Sequence, residues 1–163
     1  MPDSGHIATD LRAAREADAS ALTTLRAAFW SDQIAKGSRD NPDTEPAKLL
    51  ADTANLVNRA RTMIFVAADR EKLVGYLLGQ TKIVPGAAGS AVSSIEEIFV
   101  LPEYRRTTVA RKLVECALDG FRATGSQRFQ LRVLEYNDAG KAFWIRLGFS
   151  PAVTIYEYTG LKD

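Results

Sequence analysis

The sequence has one cysteine and one histidine in 163 residues, and these two shortages exclude several kinds of site. A single cysteine cannot form an internal disulfide and fits a reducing, cytoplasmic compartment. Structural zinc clusters need several Cys or His ligands, and Ser–His or Cys–His hydrolases need a histidine beside the nucleophile. Cys116 lies near the apolar side of a predicted helix, where a core position is expected. No metal is expected, so any chemistry must rest on carboxylates, tyrosines, hydroxyls and backbone amides.

The chain also lacks an excess of charge and a long apolar run. With 21 basic and 20 acidic residues the formal net charge is +1, so nucleic acid is not an expected partner. No apolar run approaches the roughly 20 residues that span a bilayer, and residues 1–12 lack the apolar core of a signal peptide. The length and the 46% hydrophobic content favour a single cytoplasmic domain over residues 1–163, with no membrane partner.

Residues 94–121 are the most informative stretch, because they predict a strand, a short basic turn and an amphipathic helix in direct succession. The strand ends at Pro102, since proline cannot donate to a sheet ladder. Residues 109–121 place apolar side chains on one side of a helix at three- and four-residue spacing. The unpaired N–H groups of the first helical turn and the helix dipole predict an anion site at residues 103–107.

Apolar patterning predicts the remaining elements. Strands are predicted over 7–12, 62–69, 73–83, 128–134 and 152–158, and helices over 17–35, 47–61 and 139–147. A polar turn at 70–71 joins two of these strands into a hairpin. Gly75 and Gly79 predict a bulge or a close backbone approach. Strands in hairpins together with strands separated by helices predict an α/β (α+β) fold with a mixed sheet covered by helices.

Two motifs in this order resemble those of the GNAT-type N-acetyltransferase superfamily, over nearly the whole chain. The first, V-x-P-x-Y-R, is carried by Val100, Pro102, Tyr104 and Arg105. The second, N-x-x-A-x-x-F-[YW]-x-x-x-G-F, is carried by Asn137, Gly140 in place of alanine, Phe143, Trp144, Gly148 and Phe149. The resemblance implies a mostly antiparallel sheet of six to seven strands flanked by about four helices. It also implies that two splayed parallel strands, ending at Leu101 and Leu134, hold the cofactor.

The resemblance implies acetyl-CoA as the cosubstrate, with its pyrophosphate on the turn before the helix. The family pattern [QR]-x-x-G-x-[GA] falls on residues 105–110, where Thr108 takes the glycine position. Backbone N–H donors survive that substitution, so binding is expected to be retained. The implied cofactor contacts are Ile98, Phe99, Val100, Arg105, Arg106, Thr107, Thr108, Val109, Ala110, Arg111, Asn137, Phe143 and Trp144. Both arginines would bind phosphate or stabilise the turn, and Asn137 would cap its helix or contact the cofactor.

The implied reaction is acetyl transfer to a primary amine of a small molecule or a protein, by direct attack in a ternary complex. A lysine-like amine, with a pKa of about 10.4, must first lose a proton. In this register the glutamate base of polyamine-acetylating relatives falls on Glu96, and Glu97 points to the opposite face. A backbone N–H at the end of that strand would meet the acetyl carbonyl. Trp144 replaces the tyrosine that protonates the leaving sulfur in many relatives, and Tyr136 is the candidate substitute.

The acceptor is expected between the first two helices and the C-terminal strands, with Phe29, Trp30 and Tyr156 as candidate substrate contacts. Core packing explains Phe29 and Trp30 equally well. Fourteen residues follow Phe149, fewer than the usual terminal hairpin, so that wall is expected to be reduced or to come from a second subunit of a homodimer. The alternative function is a catalytically degenerate GNAT-fold module that binds acyl-CoA, which the two departures from the family pattern motivate.

Overall fold

The computed structural model describes residues 9–84 and 91–160, which one five-stranded sheet organises. Its strands are β1 Asp10–Ala13, β2 Thr62–Asp69, β3 Lys72–Ile83, β4 Ala91–Val100 and β5 Arg128–Leu131. The helices are α1 Ala19–Ala35, α2 Pro46–Val57, α3 Val109–Ala123 and α4 Asp138–Arg146. The strands lie in chain order, antiparallel from β1 to β4 and parallel between β4 and β5. The parallel pair follows from the crossover through α3.

Helices cover both faces of the sheet, and an apolar cluster fills each interface. Leu22, Leu25 and Phe29 of α1 pack on one face, since their three- and four-residue spacing places them on one side of the helix. Leu113 and Phe121 of α3 belong to the cluster on the other face, as does Trp144 of α4. Residues 73–79 of β3 are buried without interruption, as a strand covered on both faces requires. The predicted mixed sheet covered by helices is confirmed.

Every helix in the described part of the chain is too short or too polar to span a membrane.

The prediction of six to seven strands is wrong for the described residues, where the sheet has five. Residues 152–158, predicted as a last strand, pair with no strand in the described part of the chain, and residues 150–160 are exposed throughout. Their β-branched and aromatic side chains favour an extended backbone, but a strand also needs a neighbouring edge, which local propensity cannot supply. β5 ends at Leu131 rather than at residue 134. Residues 7 and 8 of the predicted first strand lie outside the described residues.

A β-bulge interrupts the pairing of β3 with β4. Leu78 pairs with Glu97 and Gly79 pairs with Ile95, so that Glu96 is the extra residue on β4. The bulge reverses the alternation along β4, because Ile95 then joins the α3-side cluster while Glu97 faces α1. The two glycines of β3 are predicted to mark a bulge or a close approach; the bulge opposite Gly79 has its extra residue on β4, and Gly79 itself is a position of close approach.

Gly79 is required by the close approach of Phe121. A Cβ added at Gly79 would lie 2.3 Å from Cζ of the Phe121 ring, which is fully buried and stacked on Phe129 with ring centroids 6.2 Å apart. We expect Gly79→Ala to lower the free energy of unfolding by about 1–3 kcal/mol in urea denaturation, the usual cost of overpacking a core. The matched comparison is the same change in a Phe121→Leu background, where the cost should be smaller because the clashing ring atom is absent. An equal cost in both backgrounds would contradict the clash.

Asp18, just before α1, gives the fold an acid-sensitive ion pair. Its carboxylate accepts hydrogen bonds from Arg12 Nη1 at 2.7 Å and Nη2 at 2.8 Å, and from the Arg15 N–H at 2.7 Å. The hydrogen bond from Arg12 is the largest cause that lowers the pKa of Asp18 below its ordinary value. The folded pKa therefore lies below the unfolded one, near 3.9. The pair contributes stability above about pH 4, and this contribution is lost as pH falls through the folded pKa.

We expect Asp18→Asn to be less stable than the parent at pH 6, with the difference shrinking towards pH 2. The physical reason is that protonation of Asp18 in the parent removes the same charge that the substitution removes. Urea denaturation at several pH values measures the difference. Asp119→Asn is the control, because Asp119 is 78% exposed and pairs with Arg122 on the surface of α3. A difference for Asp18→Asn that stays constant with pH would contradict the expected linkage.

Candidate active site

An open cavity of about 340 Å³ lies where β4 and β5 part. The two strands pair only from Val92 with Arg128 to Ile95 with Leu131, and beyond that point they separate. The walls come from the end of α1, the second half of β4, residues 131–134 after β5, and the start of α4. The lining side chains include Phe29, Asp32, Gln33, Lys36, Ile95, Glu96, Ile98, Phe99, Val100, Arg105, Ala110, Asn137, Phe143 and Trp144. The predicted splaying of two parallel strands is thus present in the fold.

Glu96, the bulged residue of β4, faces the cavity. Its carboxylate is exposed, and the Ser94 hydroxyl donates a short hydrogen bond to Oε1. Among the described residues no side chain donates to the other carboxylate oxygen. A solvent-accessible carboxylate with a free lone pair is what a general base requires. Adjacent residues of a strand point to opposite faces, and here Glu96 faces the cavity while Glu97 points into the protein towards α1.

Glu97 is only 6% exposed and is held by two other side chains. Arg26 of α1 donates to it twice, from Nε at 3.0 Å and Nη2 at 2.8 Å, and the Tyr76 hydroxyl donates at 2.7 Å. Arg26 also donates to Thr53 at 3.0 Å and to Asp52 at 2.8 Å, both on α2. The network therefore joins α1, α2 and β3 to β4 at the residue next to Glu96.

The charges in this network are set by burial and by proximity. Burial lowers the pKa of Arg26, but the hydrogen bonds and the charge of Glu97 outweigh burial, and the net shift is upward. Burial and the adjacent Glu97 raise the pKa of Tyr76 well above its ordinary value, so its hydroxyl stays a donor. Residues 22, 25, 26 and 29 share one helical face, so an arginine among buried apolar positions was the available signal in the sequence. Alternation along β4 places Glu97 on the face opposite to Glu96 but does not predict this network.

In the turn after β4, the residue with a positive φ is Arg106. It is not Thr108, which occupies the position of the family glycine. Arg106 has φ 61°, whereas Thr108 has φ −81° and ψ −3°, an ordinary helical conformation. A β-branched residue adopts that conformation without strain. The Thr107 hydroxyl donates to the Tyr104 carbonyl at 2.6 Å and accepts from the Val109 N–H at 3.3 Å. The threonine at the glycine position therefore leaves the turn intact.

The first helical turn of α3 has unpaired backbone N–H groups, and it lies next to the cavity. The first backbone hydrogen bond into the helix runs from the Lys112 N–H to the Thr108 carbonyl, at 3.0 Å. Within residues 9–84 and 91–160, no group accepts from the N–H groups of Ala110 and Arg111. Arg106 and Arg111 are exposed beside them. This combination of free N–H donors, dipole and positive charge is suited to an anion.

Arg105 stabilises the turn, which was one of the two roles predicted for it. Its Nε donates to the Val100 carbonyl at 3.0 Å, and its guanidinium lies 5.3 Å from the centre of the Phe99 ring. Its Nη2 lies 4.0 Å from a carboxylate oxygen of Asp32 on α1. The side chain thus ties the end of β4 to α1 across the cavity.

Asn137 caps α4, which was likewise one of its two predicted roles. Its side-chain oxygen accepts from the Gly140 N–H at 3.0 Å. A Cβ at Gly140 would lie 2.4 Å from Asn137 Nδ2, so the glycine that replaces the usual alanine makes room for this rotamer. Asn137 also lines the cavity, so the cap leaves its predicted contact with a cofactor open.

Trp144 belongs both to the core and to the cavity wall. Its ring meets Phe143 edge-to-face at 5.0 Å and Phe149 at 5.3 Å, and only 8% of the residue is exposed. Phe143 and Trp144 both line the cavity, as do Ile98, Phe99 and Val100 of β4. The other predicted cofactor residues, Arg106, Thr107, Thr108, Val109 and Arg111, lie on the turn and the first turn of α3.

Three predicted site residues are not brought to the cavity. Tyr136 is 87% exposed in the turn before α4, and Tyr156 is 91% exposed in the extended C-terminal segment. Trp30 packs against the apolar cluster on the α1 side, while its neighbour Phe29 does reach the cavity. The directions of Tyr136 in a turn and Tyr156 in the C-terminal segment depend on the local backbone, and the spacing of apolar residues in the sequence does not predict that backbone. The roles predicted for these three residues therefore have no support in this geometry.

Cys116, predicted at a core position, is half-buried on α3. Burial, with the charges of Asp119 and Glu115, raises the pKa of its thiol. A protonated thiol is a poor nucleophile at neutral pH. Within the described residues, no group of three or more His, Cys, Asp and Glu side chains could hold a metal ion.

Parallel strands that part in front of a helix N-terminus, with helices on both faces, form an architecture shared with solved N-acetyltransferases. The aminoglycoside N-acetyltransferase AAC(6')-Iy in complex with CoA has a TM-score of 0.77 at 22% identity, covering 98% of both chains. Ribosomal-protein-alanine N-acetyltransferase from Brucella melitensis biovar Abortus 2308 has a TM-score of 0.74 at 16% identity, covering 94% of this chain and all of that one. At these identities the likeness establishes the fold.

A model of the acetyltransferase (GNAT) family matches residues 22–149, and the chain belongs to this family. The membership predicted from the two motifs is therefore confirmed. Over 94 residues the chain is 29% identical to N-alpha-acetyltransferase 30 of Schizosaccharomyces pombe (strain 972 / ATCC 24843). That match covers 58% of this chain and 61% of the yeast protein, so the chain spans less than two thirds of that relative.

Proposed function

We propose that this chain transfers the acetyl group of acetyl-CoA to a primary amine of a small molecule or a protein, by direct attack in a ternary complex. The observation that carries the proposal is the position of Glu96. Its exposed carboxylate shares one cavity with the end of β4 and with Ala110 at the start of α3. A base and an anion site thus open onto the same gap between parallel strands.

The residues present fit acetyl-CoA. The amides of Ala110 and Arg111 and the exposed side chains of Arg106 and Arg111 suit its pyrophosphate. Thr108 needs no positive φ, so its β-branched side chain does not strain the turn that would hold the phosphates. The gap between β4 and residues 131–134 would take the pantetheine arm. When bound there, acetyl-CoA supplies the thioester that is attacked.

The end of β4 supplies a candidate donor for the acetyl oxygen. The Leu101 N–H donates to the Val74 carbonyl of β3 at 2.9 Å, so it is already engaged. In an antiparallel ladder successive N–H groups point to opposite sides of the strand. The Val100 N–H therefore points into the gap that β5 leaves, where it would stabilise the oxyanion that develops on attack.

The reaction also needs two proton transfers, removal of a proton from the amine and protonation of the leaving sulfur. This chain has a clear candidate group for the first. Glu96 would take the proton from the attacking amine. Trp144 stands where many relatives carry tyrosine, and its indole can only donate an N–H hydrogen bond. A thiol pKa of about 8.5 makes the thiolate a fair leaving group without an acid. The absence of a general acid would cost about 10²–10⁴-fold in rate, which slows turnover without abolishing it.

Release of CoA from acetyl-CoA in the presence of an amine panel tests the proposal. The panel should span polyamines, aminoglycosides, lysine and peptide N-termini, because the solved relatives act on acceptors as different as aminoglycosides and proteins. We expect release above the hydrolysis background with at least one of these classes. Binding of acetyl-CoA with no release against any amine would instead support the acyl-CoA-binding module.

A further inference from the structure

Charged side chains line the cavity, and their pairing leaves two of them without an ionic partner. The charged lining residues are Asp32, Lys36, Glu96, Arg105 and Arg132. One carboxylate oxygen of Asp32 lies 2.7 Å from Lys36 Nζ, and the other lies 4.0 Å from Arg105 Nη2. Neither Glu96 nor Arg132 forms an ion pair with any residue that the structure describes. The cavity therefore keeps one unpaired anion and one unpaired cation.

Arg132 lies on the wall of the gap that follows β5. Its neighbours Leu131 and Val133 pack into the apolar cluster on the α3 side, whereas Arg132 is exposed. Successive side chains of an extended backbone point to opposite faces. Arg132 therefore points to the face of the sheet that α1 covers, where Phe29 of α1 lines the same cavity. This is the opposite face from α3, whose N-terminus suits the pyrophosphate.

Glu96 and Arg132 occupy equivalent positions on two neighbouring strands. Ile95 and Leu131 form the last pair of β4 with β5, and Glu96 and Arg132 each come next in the chain. Paired strands lie about 4.8 Å apart, so the two side chains start close together at the point where the strands part. Opposite charges that share one opening without pairing with each other suit a ligand that carries both charges.

We propose that the acceptor is a free α-amino acid, which places its ammonium group at Glu96 and its carboxylate on Arg132. A guanidinium binds a carboxylate through two parallel N–H donors. This inference rests on the proposed acetyl transfer and names its acceptor class. The amine nitrogen bonds the acetyl carbon as the thioester C–S bond breaks. The nitrogen gives up two protons, one to Glu96 and one through solvent to the departing thiolate, so the products are an N-acetyl amino acid and CoA.

Other amines fit these charges less well. A diamine would bring a second cation to Arg132, and like charges repel. Asp32, which could receive that second cation, is already paired with Lys36. A peptide N-terminus has an amide where a free amino acid has its carboxylate, so it would leave Arg132 without an anion. A free amino acid therefore matches both unpaired charges.

Rates of CoA release with amino acids and with their C-terminal amides test the acceptor class. Each pair keeps the amine and the side chain and differs in the carboxylate. We expect kcat/KM for at least one amino acid to exceed that of its amide by about 10- to 100-fold, the contribution of a charge-assisted hydrogen bond.

Variants assign this preference to Arg132. We expect Arg132→Met to lose it through a higher KM with kcat little changed, because binding of the carboxylate does not change during the reaction. Arg132→Lys should keep part of it. Arg128→Met is the matched control, since Arg128 is an exposed arginine of β5 outside the cavity. Comparing the ratio of acid to amide between parent and variant cancels the different pKa values of the two amines.

Calorimetry separates failure of this inference from failure of the proposed reaction. CoA in place of acetyl-CoA prevents transfer, and the amino acids are titrated into the CoA-bound parent, Arg132→Met and Arg128→Met. We expect binding to the parent and to Arg128→Met, and binding weaker by roughly tenfold or more to Arg132→Met. Such binding without CoA release from acetyl-CoA would overturn the reaction and support this site. The inference is overturned if no amino acid binds, if amides, putrescine or peptides are better acceptors, or if Arg132→Met keeps the preference.

Discussion

Glu96→Gln is expected to lower kcat/KM at neutral pH by about 10²–10⁴-fold, the usual contribution of a positioned base. The carboxamide has nearly the same shape and can still accept the Ser94 hydrogen bond, but it cannot take a proton from the amine. The variant then depends on amine that is already neutral, so its rate should rise about tenfold per pH unit up to the amine pKa, near 10.4 for a lysine-like acceptor.

Profiles of kcat/KM against pH for parent and variant, with the acceptor found in the amine panel, measure this effect. Glu115→Gln is the control, since Glu115 is exposed on α3, outside the cavity. Its profile should match that of the parent. An unchanged profile for Glu96→Gln would remove Glu96 as the base and leave proton removal to solvent.

Glu97→Ala is expected to lower the free energy of unfolding by about 3–5 kcal/mol, because it removes the buried partner of Arg26 and leaves only the exposed carboxylate of Asp52 beside the arginine. Arg26 is 4% exposed and Tyr76 is fully buried, so neither can turn to water without local unfolding. Asp52→Ala is the matched control, because the Asp52 side chain is 58% exposed and contacts the same arginine. Its cost should be about 0–1 kcal/mol.

Urea denaturation of both variants gives the comparison, with the double variant Arg26→Met/Glu97→Leu as a further check. Removing both charges together should recover much of the loss, since no ion then remains buried and unpaired. Equal losses for Glu97→Ala and Asp52→Ala would show that the buried network does not carry this energy.

The network also positions part of the cavity wall, because Arg26 anchors α1 to β4 and α1 brings Phe29, Asp32 and Lys36 to the cavity.

The motifs around β4 and α4 led to the correct family, and the cavity lies between the strands that they predicted. Glu96, Val100 and Ala110, predicted from the same motifs, all line that cavity. Tyr136 and Tyr156 do not, because their side chains follow a turn and a tail whose direction depends on the rest of the fold. The network of Glu97 with Arg26 was missed, since the spacing around Arg26 indicates a buried arginine but does not identify a partner 71 residues away in the chain.

Local sequence pattern by itself determined where the elements form, because periodicity and chain breakers act over a few residues. Residues 62–69 form a strand with the predicted bounds, and α1 ends at the predicted Ala35. Only the tertiary structure decided three features: the bulge at Glu96, the positive φ at Arg106, and the lack of a pairing strand for residues 152–158 in the described part of the chain. Each of these depends on which strand or side chain lies opposite, and pairing between distant segments is settled only when the whole sheet assembles.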